Sequence, residues 1–192
     1  IAAPFSFIPG HEIVGIIDEI GDDASARWNV AAGDRVAVEV FRSCRQCEPC
    51  ARGEYRRCVR NGLATMFGFV DTQIEPGLWG GYATHLHLPS DAMLLPIPDS
   101  LDPVLATVFN PLGAGIRWAA TIPETKPGDV VVVLGPGIRG LSAAVAAKEA
   151  APLLGLDVDT SNVAQPHDGF LRTADARDRQ ALELFRRLEG AG

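Results

Sequence analysis

The residues best equipped for chemistry are Cys44, Cys47, Cys50 and Cys58, spaced Cys-x2-Cys-x2-Cys-x7-Cys, and the chain has no other cysteine. Disulfides stabilise by closing loops in the unfolded chain, and the gain grows with loop length. Bridges confined to this stretch would close small loops and leave nearly all of the 192 residues unconstrained. A tetrahedral zinc instead needs four thiolates about 2.3 Å away, and Cys-x2-Cys turns deliver sulfurs in pairs from one side. The spacing therefore predicts a structural zinc held by all four sulfurs, with no position open for water or substrate. Residues 41–62, FRSCRQCEPCARGEYRRCVRNG, are mostly polar and have little core of their own. Metal binding worth on the order of 10 kcal/mol would order them. Zinc ribbons of nucleic-acid binders share the chemistry, but they usually separate their two Cys-x2-Cys halves widely.

Charge bears on the same question. Arg42, Arg45, Arg52, Arg56, Arg57 and Arg60 form a local basic patch, yet the whole chain carries a net charge of -7. Nucleic-acid binding rests on neutralising phosphates with clustered cations, so no nucleic-acid partner is expected and the arginines are read as a solvated face. No run approaches the ~18 apolar residues of a membrane span. The opening IAAPFSFIPGHE has no basic leader or small-residue cleavage pattern, so neither a membrane nor a secretory route is expected.

The elements that must position these groups are legible as patterns. Alternation in EIVGIIDEIG and DRVAVEVF reads as strands, separated by a polar turn and by Gly33-Asp34. GLWGGYATHLHLPSDAMLLPIPDSL continues in short segments cut by Gly and Pro, the texture of an all-β barrel. DPVLATVFNPLGAGIRWAAT reads as helical, broken at Pro111. A continuous apolar strand from Val130 to Leu134 then runs into Gly135-Pro136-Gly137-Ile138-Arg139-Gly140 and an alanine-rich helix. In that context the glycines let a backbone approach a pyrophosphate, which the helix N-terminus attracts.

In this order and combination the motifs resemble the zinc-containing medium-chain alcohol and polyol dehydrogenases. The matching pieces are Pro9-Gly10-His11-Glu12 with Gly15, Gly33-Asp34-Arg35-Val36, the four spaced cysteines, Gly80-Gly81-Tyr82-Ala83, and the Gly135-Gly137-Gly140 turn. The resemblance spans residues 9 to about 150. It implies an α/β plus β architecture: a GroES-like β-barrel domain, N-terminally truncated, followed by the start of a Rossmann doubly wound domain. The expected division is residues 1–112, including the zinc lobe at 41–62, and residues 113–192. It also implies NAD(P)-dependent oxidation of a small-molecule alcohol or polyol at a second, catalytic zinc. In relatives that ion acts as a Lewis acid on the bound alcohol.

Carried over residue by residue, His11 matches the family's histidine ligand of the catalytic zinc and Glu12 the adjoining carboxylate. Gly135, Gly137, Ile138, Arg139 and Gly140 match the cofactor turn. Asp159, with Asp157 as the alternative, stands where an acid would hold the ribose hydroxyls and favour NAD. Two departures matter. The family's first catalytic ligand is a cysteine well upstream of the Gly-His-Glu motif, and no cysteine precedes His11. Its last ligand falls at Asn110, and a carboxamide is a poor zinc ligand. His85, His87 and His167 are read as surface histidines.

Pro152 and Gly155 weaken the strand expected to lead to Asp159, while Ala181, Leu182, Leu184, Phe185 and Leu188 mark one face of a last helix. Relatives are about twice as long, so the chain is expected to be a fragment, inactive alone. The alternative is a zinc-ordered binding module derived from the same barrel. A zinc-free reductase of the wider superfamily is disfavoured, since such relatives lack both the cysteine lobe and the histidine. A cytoplasmic location and a possible homo-oligomer complete the expectations.

Overall fold

In a computed structural model the described residues are 6–126, 129, 131–133, 135 and 137–154. Two compact units meet in sequence at Val108 and Phe109. The expected Asp157, Asp159 and His167 positions and the helix around Leu184 lie outside the described residues.

The first unit is organised by a three-stranded antiparallel sheet in the order β1 (Ile13–Ile16), β2 (Arg35–Val38), β3 (Leu94–Pro96). Ile13 lies opposite Val38, Ile16 opposite Arg35, and Val36 opposite Pro96. The strands are shorter than their apolar runs suggest. In β2, Val36, Ala37 and Val38 are all buried, so this central strand is covered on both faces. Val36 and Val38 pack with Ile17, Val30, Phe67, Val70, Trp79 and Ala92 into one cluster. The segment expected to add strands around GLWGGYATHLHLP makes cross-chain hydrogen bonds without a ladder: Gly68 N–H donates to Trp79, Gly81 N–H to Gly10 and Tyr82 N–H to Pro9. These backbones approach too closely for side chains. A Cβ at Gly80 would run into the Ile8 carbonyl oxygen, and one at Gly10 would lie 2.7 Å from the Tyr82 ring.

Two sequence expectations change. The polar turn between the first two strands is a seven-residue helix, α1 (Asp22–Trp28). Asp22 and Asp23 sit in its first turn and Arg27 in its last, which suits the helix dipole, and Asn29 ends it in the left-handed conformation. The Trp28 indole N–H then donates to the Ala92 carbonyl, 3.2 Å away, and pins the helix to the core. Pro111, for its part, does not break its helix. A short α2 (Glu48–Ala51) lies in the cysteine lobe, and α3 (Pro103–Ala106) opens on an Asp102 cap that accepts from Val104 and Leu105 N–H. The chain then pauses at Thr107 and Val108 and restarts as α4 (Phe109–Ile116). Pro111 thus falls in the first turn of α4, where no intrahelical N–H is required.

The second unit pairs α4 with α5 (Ile138–Leu154). Their backbones touch at Gly115, where a Cβ would lie 2.5 Å from the Ser142 carbonyl. A π-helical turn, Arg117–Thr121, extends α4. The expected Val130–Leu134 strand is not realised among the described residues: Val131, Val132 and Val133 carry no ladder, and Val132 is 74% exposed. An extended run becomes a strand only through a neighbour's backbone. Residues 151–154, read in sequence as the approach to the next strand, are the last turn of α5, which continues through Pro152.

Phe67 is fully buried at the centre of the first cluster. Phe67→Ala should lower the stability of this unit by about 3–5 kcal/mol, read as a fall in the urea midpoint followed by tryptophan fluorescence.

Candidate metal and nucleotide sites

The turn that carries Cys44 is fastened to the first unit before any sulfur is considered. Ser43 N–H donates to the Asp91 carbonyl at 3.0 Å, and the Arg45 guanidinium donates to the carbonyls of Ser90 and Ala92. Arg42 pairs with Asp91 at 3.5 Å and lies over the Trp79 ring, 5.5 Å from its centroid. Arg45 takes a positive φ of 56°, which turns the chain back toward Cys47. Cys47 caps α2, Cys50 lies within it, and the 3-10 turn Tyr55–Arg57 returns the chain to Cys58.

All four sulfurs lie within 4.8 Å of one another, and Cys44 and Cys50 are 3.9 Å apart. A zinc with sulfurs at 2.3 Å sets neighbouring sulfurs about 3.8 Å apart in a tetrahedron. A disulfide needs about 2.05 Å, and all four cysteines are free. The lobe also supplies donors to sulfur. Cys47 N–H points at the Cys44 sulfur at 3.4 Å. Hydrogen bonds from the Val59 and Cys50 backbone lower the pKa of Cys47. Burial works to raise Cys58, but backbone hydrogen bonds from Cys44, Asn61 and Arg60 outweigh it and bring it down to about 6. At Cys50 the Ser43 hydroxyl pulls the pKa down, while burial and the neighbouring Cys47 and Cys58 push it above the usual thiol value. Four sulfurs at tetrahedral spacing, met by N–H groups, fit a zinc ion.

His11 and Glu12 occupy the residues just before β1. The packed backbones of Gly10, Gly68, Gly80 and Gly81 fix the approach to His11. Its half-buried ring packs on Phe69, centroids 5.6 Å apart, and Phe69 stacks on Phe7 at 6.2 Å. Glu12 is exposed. No further His, Cys, Asp or Glu gathers with this pair into a metal-binding group among the described residues. His85 pairs with Asp18 at 3.6 Å and with Thr84 at 3.1 Å, and His87 meets Trp79 edge-on at 5.2 Å. Asn110 lies in α4 of the second unit. Among the described residues the donors present do not make a catalytic zinc site.

The glycine turn shows three distinct environments. Gly135 has a φ of 98°, Gly137 has nothing within 4 Å of where a Cβ would stand, and a Cβ at Gly140 would strike the Gly135 carbonyl oxygen. Leu141 N–H makes a hydrogen bond at 2.9 Å to the Gly137 carbonyl. The N–H groups of Ile138, Arg139 and Gly140 precede it, in the part of a helix that lacks intrahelical partners. A tight turn, an open backbone and a close contact are the three demands of a pyrophosphate cradle. The Arg139 guanidinium lies 5.8 Å from the centroid of the Trp118 ring.

Three participants escaped the sequence reading. Ser43 and Arg45 look like ordinary polar neighbours of cysteine, and only their long-range partners, the Asp91, Ser90 and Ala92 carbonyls, show a role. Glu39, just past β2, is the third. Burial raises its pKa above 4.5, partly opposed by hydrogen bonds from Phe41 and Val40 N–H and from the Tyr55 hydroxyl in the lobe.

Removing zinc with a chelator should release residues 51–62, so that trypsin cuts after Arg52, Arg56, Arg57 and Arg60 at least tenfold faster. Unchanged cleavage in metal-free protein would show that the metal does not order the lobe. For Glu39 the folded pKa lies above the unfolded one, so the ionised group weakens the fold above that folded value, and below 4.5 the penalty is gone. Glu39→Gln should therefore be the more stable protein at pH 7.5, with the difference from wild type vanishing at pH 4, in paired urea titrations.

Comparison with known proteins agrees with this geometry. Residues 1–99 match the alcohol dehydrogenase GroES-like domain. A Mycobacterium tuberculosis protein named probable alcohol dehydrogenase is 66% identical over 150 residues, 78% of this chain and 41% of its own length. The erythritol/L-threitol dehydrogenase of Mycolicibacterium smegmatis is 32% identical over 152 residues, 79% of this chain and 40% of its own. Zinc-dependent alcohol dehydrogenase 2 of Streptococcus pneumonia superposes with a TM-score of 0.59 at 28% identity, over 74% of this chain and 37% of that one. The chain thus spans about two fifths of the length of the curated relatives it matches. With a GroES-like domain that folds a four-cysteine lobe beside its sheet, the chain belongs to the zinc-containing alcohol and polyol dehydrogenase family.

Proposed function

We propose that the chain carries the structural-zinc lobe and the cofactor turn of a dehydrogenase that passes hydride from an alcohol or polyol to a nicotinamide cofactor. The observation that carries this reading is the convergence of Cys44, Cys47, Cys50 and Cys58 within 4.8 Å inside a domain of this family. Their zinc would be a cross-link, since four thiolates leave it no open position. Gly135, Gly137, Ile138, Arg139 and Gly140 would hold the pyrophosphate: the open backbone at Gly137 admits it and the α5 N-terminus attracts its charge. The nicotinamide, when bound, supplies the hydride acceptor. Asp159 supports NAD over NADP, and a cytoplasmic protein able to form a homo-oligomer is part of the same reading.

His11 and Glu12 are proposed as this chain's contribution to a catalytic metal. Held by the glycine contacts and the Phe69 ring, His11 presents one nitrogen donor and Glu12 an adjoining carboxylate. A catalytic zinc needs about three protein ligands, so the chain alone should bind one zinc and turn over negligibly. That shortfall favours a second reading, a zinc-ordered binding module without catalysis.

Metal analysis and nucleotide titration separate them. Purified chain should hold one zinc and enhance NADH fluorescence, and Gly137→Val should weaken NADH binding at least tenfold by filling the cradle. Zinc without NADH binding would favour the module. Two zincs with NADH production from erythritol, sorbitol or ethanol would overturn the one-donor account of His11.

A further inference from the structure

The head of α5 has an aromatic neighbour outside its glycine turn. α4 and α5 touch backbone to backbone, a Cβ at Gly115 lying 2.5 Å from the Ser142 carbonyl. Three residues after Gly115 stands Trp118, in the π-helical turn Arg117–Thr121, and three residues before Ser142 stands Arg139. Residues three apart share a helix face. Trp118 and Arg139 are therefore the next rung of the same contact, with the two helices running in opposite senses. The Arg139 guanidinium lies 5.8 Å from the centroid of the Trp118 ring, as that register requires.

The rung falls at the cofactor turn. Arg139 is in the first turn of α5, among N–H groups that lack intrahelical partners. A helical Cβ tilts toward the N-terminus, so this side chain sets out toward the glycines. Arg139 is exposed and Trp118 is 45% exposed, and among the described residues no carboxylate pairs with the guanidinium. An arginine that meets an anion from open solvent gives up rotamer freedom. Stacked on an indole it has given up part of that freedom already, and its in-plane N–H groups stay open for phosphate oxygens.

We propose that Trp118 is a positioning residue for the cofactor, holding the Arg139 guanidinium on its ring so that the cation meets a phosphate of the dinucleotide. The proposal rests on the cofactor reading of the 135–140 turn and adds to it a residue from the facing helix. The close Gly115 contact sets the register that puts the indole there.

The test titrates NADH into the full chain and its variants, with the nicotinamide excited directly so that loss of an indole leaves the signal unaffected. Trp118→Leu, which keeps apolar bulk without an aromatic face, should weaken NADH binding about fivefold. Trp118→Phe should stay within about twofold of wild type. Arg139→Gln should weaken binding about tenfold, and Trp118→Leu added to it should weaken it no further, since no cation is left to position. Thermal unfolding of each variant reports whether the second unit is intact, and if Trp118→Leu does not fold, Trp118→Met takes its place. Equal weakening by Trp118→Leu with and without Arg139 would overturn the proposal, because the indole would then act by packing alone. Wild-type affinity in a folded Trp118→Leu, or a folded Trp118→Phe that behaves like Trp118→Leu, would overturn it too, and each leaves the cofactor reading standing. A wild-type chain that does not bind NADH would overturn both.

Discussion

Four sulfurs held at tetrahedral spacing are the constraint on which the rest of this structure turns. Four thiolates this close repel one another, and a cation bound among them offsets that repulsion. The lobe contributes almost nothing else toward its own order: among its residues only Ser43 and Cys58 are buried. Its backbone N–H groups converge on sulfur, which is why Cys58 ionises more readily than a free thiol despite its burial. The ion and these N–H groups complete one another, and the sheet domain supplies the frame in which both are placed.

That frame depends on backbone contacts more than on sheet. The three short strands set one register, but the approach to His11 is fixed where Gly10, Gly68, Gly80 and Gly81 pass within contact distance of neighbouring main chain. Side chains would hold these segments apart. Removing them lets the peptide of Pro9 and Gly10 hydrogen-bond directly to Tyr82 and Gly81, and leaves the His11 ring to settle on Phe69. The same device reappears at Gly140 against Gly135, where it closes the head of α5.

The sequence made the metal site legible because metal spacing is local: four ligands between Cys44 and Cys58 can be read without knowing the fold. The family was legible because its motifs are short and ordered. The strands were less so, since burial of Val36, Ala37 and Val38 on both faces erases the alternation that would mark their ends. Pro111 was misread because its effect depends on where the helix begins, and the pause at Thr107 and Val108 leaves no strong mark in the sequence. The basic patch is a solvated face at Arg45, Arg52, Arg57 and Arg60, as read, while Arg42 turns inward to pair with Asp91. Ser43 was invisible, since nothing in a serine beside a cysteine tells that its neighbours are anchored far along the chain.

The distance of those anchors has a consequence for the lobe as a separable object. Arg45 reaches carbonyls 45 and 47 residues away, on a loop that leads into the last strand of the sheet. A synthetic peptide of residues 41–62 would own every sulfur and none of this mooring. It would have to arrange its first turn at the moment of capturing the ion, losing chain freedom that the intact protein has already surrendered. Affinity for metal is here a property of the whole sheet domain, lent to a loop that could not hold it alone.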